Sequence, residues 1–253
     1  MPRNDADTRP LYYVLSAGRT GTMFLESLVK THCQGVTIEH EPTPSRTLMM
    51  LGNLRNDWGL MHGPTRRMAA RHQAATHARD HHIEVNPFLC AVTDLLPHAT
   101  RPLRILHMVR APGDWAQSMT TFKASSRYRH VIDYVPFAKP FPSPRPAGWR
   151  ALSPFEKSLH RWSWCNTRIA DLAPHAQAYA LVRSEDLFTG SAPLRAAALT
   201  QITEVLDLDL PADLPADTFT QKVNPAPPGT DLRDPLTERA ICGAVAARFG
   251  YDL

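Results

Sequence analysis

Residues 11–15, LYYVL, form an unbroken apolar run of aromatic, β-branched and leucine side chains. Such a run predicts a short strand buried on both faces. The pattern then changes. Residues 16–22, SAGRTGT, are small and polar and include two glycines, and from there Met23, Phe24, Leu25, Leu28 and Val29 fall at helical spacing. Strand, glycine turn and helix therefore follow one another. Similar units recur along the chain. Residues 35–39 read as a strand ending at His40-Glu41-Pro42, and residues 82–86 as another strand before a helix over 87–96. Leu103–Val109, LRILHMV, is the clearest later strand; it ends in the polar turn RAPGD, and a helix runs on through Trp115, Met119 and Phe122. Residues 155–172 place Leu159, Trp162, Cys165 and Ile169 on one helical face. A strand over 179–182 leads to Arg183-Ser184-Glu185-Asp186-Leu187, a helix over 192–206 is expected outside the sheet, 207–218 reads as loop, and 235–249 as a terminal helix. Strands alternating with helices predict an α/β fold of three layers, with a central, mostly parallel sheet flanked by helices.

Two stretches break the rhythm. Residues 45–82 read as mixed helix and loop, interrupted at Trp58, Gly63 and Pro64, and are expected to lie over the sheet edge as an insertion. Residues 123–154 carry six prolines with Phe137, Phe141 and Trp149 between them. That density excludes a long helix or a central strand, and the aromatics suggest a segment that covers substrate. No repeat or linker divides the chain, so residues 1–253 are expected to form one domain behind a polar tail over 1–10.

Composition narrows the function. Hydrophobic residues at 43% and charged residues at 21% describe a globular chain long enough to bury a full core. The net charge of +4 suits a small polyanionic ligand, and without a dense Lys/Arg tract a nucleic-acid surface is not expected. The polar start lacks the apolar core of a signal peptide, and no apolar run nears the ~18 residues of a membrane span. Cys33, Cys90, Cys165 and Cys242 are scattered, which predicts neither a zinc site nor a disulfide framework and suits a reduced cytoplasm. His72, His77, His81 and His82 sit in an Arg-rich stretch and read as solvated. No metal site is expected.

The chemistry concentrates at strand ends. A glycine turn between a strand and a helix aims successive backbone N–H groups at one point, where the helix dipole is positive. Gly18, Arg19, Thr20, Gly21 and Thr22 supply that turn, a fork-shaped cation and two hydroxyls, and phosphate is the anion that fits. The ATP-binding P-loop does not match: the glycines are too close together, and Thr22 stands where its lysine belongs. His40 and Glu41, at the tip of the second strand, offer a general base beside the anion site, or two polar residues facing solvent. Arg110, at the end of the 103–109 strand, and Ser118, about one turn into the next helix, could reach one anionic group at the same sheet edge. A salt bridge to Asp114 is the plainer role for Arg110.

With these segments in order, the chain resembles the sulfotransferases that use 3′-phosphoadenosine 5′-phosphosulfate (PAPS). SAGRTGT is similar to that family's 5′-phosphosulfate loop. VRAPGDWAQS is similar to its 3′-phosphate motif through Arg110, Pro112, Asp114 and Ser118, with Ala111 where Asp or Asn is usual. YALVRSEDL, Lys222-Val223-Asn224 and RFGYDL resemble later family segments more weakly. The resemblance implies a sulfotransferase architecture related to the P-loop nucleotide-binding fold. It implies Gly18, Arg19, Thr20, Gly21 and Thr22 on the 5′-phosphosulfate, Arg110 and Ser118 on the 3′-phosphate, and Lys222 and Asn224 closing over the nucleotide. It also implies a base just after the second strand, Glu41 ahead of His40. Sulfuryl transfer to an acceptor hydroxyl would follow, with PAPS as cosubstrate and no metal. A silent nucleotide-binding protein on the same fold is the alternative, and a kinase a more distant one. The acceptor (carbohydrate, lipid-linked sugar, small alcohol or phenol) and the oligomeric state are not legible.

Overall fold

In the computed structural model, described for residues 9–77, 79–121, 138–211, 214–219 and 231–253, five parallel strands form one sheet in the order β2-β3-β1-β4-β5. The strands are β1 (Leu11–Ser16), β2 (Thr37–His40), β3 (His82–Val85), β4 (Leu103–Val109) and β5 (Ala178–Arg183). β1 lies at the centre, and all six of its residues are buried. It pairs in register with β4 from Leu11↔Leu103 to Ser16↔Met108, and with β3 from Tyr12↔Ile83 to Val14↔Val85. A strand covered on both faces has no solvent side, which is why its sequence shows no polar alternation.

Alternate side chains of β1 and β4 feed two different cores. Leu11, Tyr13 and Leu15 join Leu103, Ile105 and Val109 on one face. That face is covered by α2 (Ser45–Trp58), α3 (His62–His77), a 3₁₀ segment (Pro87–His98), α4 (Pro112–Thr121), α5 (Pro154–Ala170) and α8 (Pro235–Ala247). Tyr12, Val14, Leu106 and Met108 point the other way, against α1 (Thr22–His32), α6 (Ser184–Phe188) and α7 (Ala192–Leu206). Helices on both faces of a parallel sheet make the expected three layers.

Several local expectations need correction. Residues 45–82 are mostly regular, because α2 and α3 fill nearly the whole stretch. The helix expected over 87–96 is a 3₁₀ segment with a non-helical Val92 (φ −137°) in its middle. His72 and His82 are buried rather than solvated, at 6% and 4% exposure. Phe141 and Trp149 belong to buried packing and not to an open stacking surface, whereas Trp58 is exposed. Residues 138–153 contain no helix or strand, as the prolines require; Phe137 lies outside the described residues.

A buried polar contact links β4, β5 and α5 at His107. Its Nδ1 lies 2.7 Å from the Tyr179 hydroxyl and its Nε2 2.9 Å from Asn166 Oδ1 of α5, with the ring fully buried. Burial pushes its pKa down to about 4, and the Asn166 bond only partly opposes that. The unfolded chain therefore binds a proton that the folded chain refuses. Stability should fall by on the order of 3 kcal/mol as the pH drops from the usual histidine value toward about 4. Urea unfolding at a series of pH values checks this, and His107→Gln should flatten that part of the profile.

Candidate functional site

Three strand exits meet at the carboxyl edge of the sheet. β1 leads into residues 17–21, β2 into Glu41 and β4 into Arg110. The point where chain connections diverge to opposite sides of the central strand is where an open α/β sheet leaves room for a ligand. Here it lies between β1 and β4.

The loop after β1 is shaped by three left-handed residues in four positions: Gly18 (φ 86°), Arg19 (φ 56°) and Gly21 (φ 93°). Glycine accepts this region without strain, whereas at Arg19 it is uncommon and marks a held conformation. Gly21 also has no space for a side chain, because a Cβ there would come within 2.5 Å of the Phe188 ring. The Gly18 N–H donates to Ser16 Oγ at 3.0 Å. Among the described residues, no acceptor takes the N–H groups of Thr20, Gly21 or Thr22. The Thr20 hydroxyl is likewise buried without a hydrogen-bond partner. Unsatisfied donors of this kind, at the start of α1, fit an anion.

The loop is fastened to α4. Trp115 Nε1 donates to the Gly18 carbonyl at 2.5 Å, and Arg19 Nε donates to Ser118 Oγ at 3.3 Å. Beneath it, the Arg161 guanidinium of α5 lies over the Trp115 ring, 5.4 Å from the centroid. Burial and then the nearby Arg110 charge lower the pKa of Arg19, so the two guanidinium groups are close enough to repel. Arg19, Arg110 and Ser118 thus converge on one edge. Ser118 is the seventh residue of α4, nearly two turns in rather than one.

Arg110 does not pair with Asp114, whose carboxylate binds Arg233 at 3.1 Å. The backbone of this second turn is already occupied. Glu185 Oε1 accepts from the Ala111 N–H at 2.9 Å, and Glu238 Oε1 from the Gly113 N–H at 2.8 Å. Tyr251 in turn donates to Glu185 Oε2 at 2.8 Å. An anion at this turn would therefore meet side chains, whereas at the first loop it would meet backbone. Glu185, Glu238 and Trp115 serve the site without standing out as site residues in the sequence. Only the weaker YALVRSEDL resemblance pointed to the first.

His40 Nε2 sits 3.3 Å from Thr22 Oγ1, so the tip of β2 reaches the start of α1. His40 Nδ1 is 4.0 Å from Glu41 Oε1. Glu41 is itself left-handed (φ 50°), with its N–H donating to the Val85 carbonyl at 2.9 Å. Lys222 and Asn224 lie outside the described residues. Among the described residues, no cluster of three or more metal-ligating side chains occurs.

Below Glu41 runs a buried chain of hydrogen bonds. His72 Nε2 is 2.8 Å from both carboxylate oxygens of Glu84, Asn86 Nδ2 donates to Glu84 Oε1 at 2.6 Å and to Ser45 Oγ at 2.7 Å, and Ser45 donates to the Pro42 carbonyl. Burial lowers the His72 pKa, but the Glu84 bond and charge outweigh it, and the net shift is upward. The buried ion pair therefore ties α3 through β3 to the turn that carries Glu41.

No protein-family model matches the chain, and no curated protein matches its sequence. Among solved structures, the sulfotransferase domain from the Synechococcus PCC 7002 olefin synthase is similar over 97% of this chain and 96% of its own, at 18% identity and a TM-score of 0.51. The sulfotransferase domain from the curacin biosynthetic pathway is similar over 97% of this chain and 99% of its own, at 13% identity and a TM-score of 0.49. The chain has the fold of a sulfotransferase domain, as its motifs imply.

Removing His72 should strand the Glu84 charge in the core. His72→Ala is expected to cost about 3–5 kcal/mol in urea unfolding, and His72→Met with Glu84→Met much less than the two single changes summed. Because the His72 pKa is raised, the pair's contribution is complete below the usual histidine range and fades as the pH rises through the raised value.

Proposed function

We propose that the protein is a sulfotransferase that moves a sulfuryl group from PAPS to a hydroxyl of an acceptor. The observation that carries this reading is the convergence of Arg19 and Arg110 at one sheet edge, with Arg19 bonded to Ser118 across the gap. Two cations held against mutual repulsion suit one ligand with two anionic ends. The sulfotransferase-domain fold supports the same reading.

PAPS would supply an activated sulfuryl group on a good leaving phosphate. The backbone N–H groups of residues 20–22, the Thr20 and Thr22 hydroxyls and Arg19 would bind the 5′ end, where charge grows on the leaving oxygen. Arg110 and Ser118 would bind the 3′-phosphate through side chains, since carboxylates already cap the backbone of that turn. Lys222 and Asn224 are proposed to cover the nucleotide. A sulfuryl group carries less charge than a phosphoryl group, so cationic side chains and oriented dipoles can balance much of its transition state.

The acceptor hydroxyl needs a base on the far side of the sulfur. We assign that role to Glu41, whose left-handed backbone, held from β3, presents the carboxylate beside His40. A second reading makes His40 the base and Glu41 its partner. The contact of His40 Nε2 with Thr22 favours it, because that nitrogen already touches the loop that would carry the sulfuryl group.

Transfer of labelled sulfate from PAPS to a pool of hydroxyl acceptors tests the activity, and calorimetry with adenosine 3′,5′-bisphosphate (PAP) tests the donor site. Arg19→Ala and Arg110→Ala should each weaken PAP binding about 10- to 100-fold. Glu41→Gln should lower turnover at least ~10²-fold with PAP affinity kept, whereas His40→Asn should have the larger effect if histidine is the base. Binding of PAP without turnover on any acceptor, and with no effect of Glu41→Gln, would instead indicate a silent nucleotide-binding protein.

A further inference from the structure

Three of the large apolar side chains that the described residues leave exposed stand within four positions on one turn. Trp58 is 58% exposed, Leu60 51% and Met61 45%. The turn joins α2 to α3 and is a built feature. Gly59 ends α2 in the left-handed region (φ 66°), its N–H donating to the Arg55 carbonyl at 3.0 Å, and the Leu60 N–H reaches the Leu54 carbonyl at 3.4 Å. The three exposed side chains thus sit on one ordered turn between the two helices.

The same surface continues along α3. Thr65, Ala69, His72, Gln73 and Thr76 are buried, which leaves Arg66, Arg67 and Arg71 on the solvent side with His62, Gly63, Pro64 and three alanines. From residue 58 to residue 79 the chain contains no Asp or Glu. The acids at either end are engaged elsewhere, Asp57 by Arg145 at 2.5 Å and Asp80 by Arg9. Among the described residues, no carboxylate pairs with Arg66, Arg67 or Arg71.

We infer that the 58–61 tip and the arginine face of α3 dock on an anionic lipid bilayer. A bilayer supplies in one partner the two environments this surface lacks: a headgroup layer of negative charge for the arginines, and beneath it an apolar layer for the tip. Tryptophan settles at that boundary because its ring is apolar and its N–H is polar. An acidic protein face would pair the arginines but would need a separate pocket for a protruding Trp-Leu-Met tip. The charge of this face favours the bilayer, and the inference does not depend on the donor site or on any activity.

Co-sedimentation of the full chain with vesicles of phosphatidylcholine alone, or with roughly a third phosphatidylglycerol, tests the inference. Binding to the anionic vesicles should exceed binding to the neutral ones at least ~10-fold and should weaken as salt is raised. Arg66→Glu with Arg67→Glu, and separately Trp58→Ser with Leu60→Ser, should each reduce it ~10-fold or more, with thermal unfolding unchanged because these side chains are exposed. Equal binding to both vesicle types, no binding to either, or full binding by both variants would overturn the inference. So would a concentration-dependent dimer in size-exclusion chromatography that the Trp58→Ser, Leu60→Ser variant dissolves, since a second copy would then cover the tip.

Discussion

Parallel pairing of β1 with both of its neighbours is the constraint on which the site depends. If β3 or β4 ran the other way, its exit would open on the opposite edge of the sheet. With both parallel, the exits of β1, β2 and β4 share one rim, and residues far apart in sequence become neighbours without any long loop having to fold precisely. The apolar runs of β1 and β4 hold this arrangement by burial on both faces. The polar contacts at the rim, such as Trp115 to the Gly18 carbonyl, then only need to fix details.

The rim presents its polar groups in two different ways. The first loop offers backbone donors in a left-handed curve. The second turn has its backbone N–H groups bonded to Glu185 and Glu238, which leaves Arg110 and Ser118 to act as side chains. Each of those carboxylates accepts from a backbone donor at or just before the start of α4, where the helix dipole favours negative charge.

Much of this was legible in the sequence for a physical reason. Central strands must be apolar throughout, so β1 and β4 stood out, and the helix over 192–206 coincided with α7. The glycine turn was legible because only glycine tolerates the angles at positions 18 and 21 without strain. What was missed depends on distant partners. His72 looks like a solvated residue until Glu84, on another element, buries with it. The order within residues 45–82 was hidden by Gly63 and Pro64, which interrupt a propensity reading but fit the first turn of α3. The plainer alternative for Arg110, a pair with Asp114, does not form, because Asp114 is held by Arg233, more than a hundred residues further on.

Glu238 and Tyr251 follow all five strands in sequence, yet both close the second turn, at Gly113 directly and at Ala111 through Glu185. On a ribosome, the strands and the first loop emerge well before these residues do. The second turn can therefore be completed only after all five strands and the first loop have been made. A nascent chain could thus assemble most of its sheet while the turn that follows β4 still lacks its carboxylate partners.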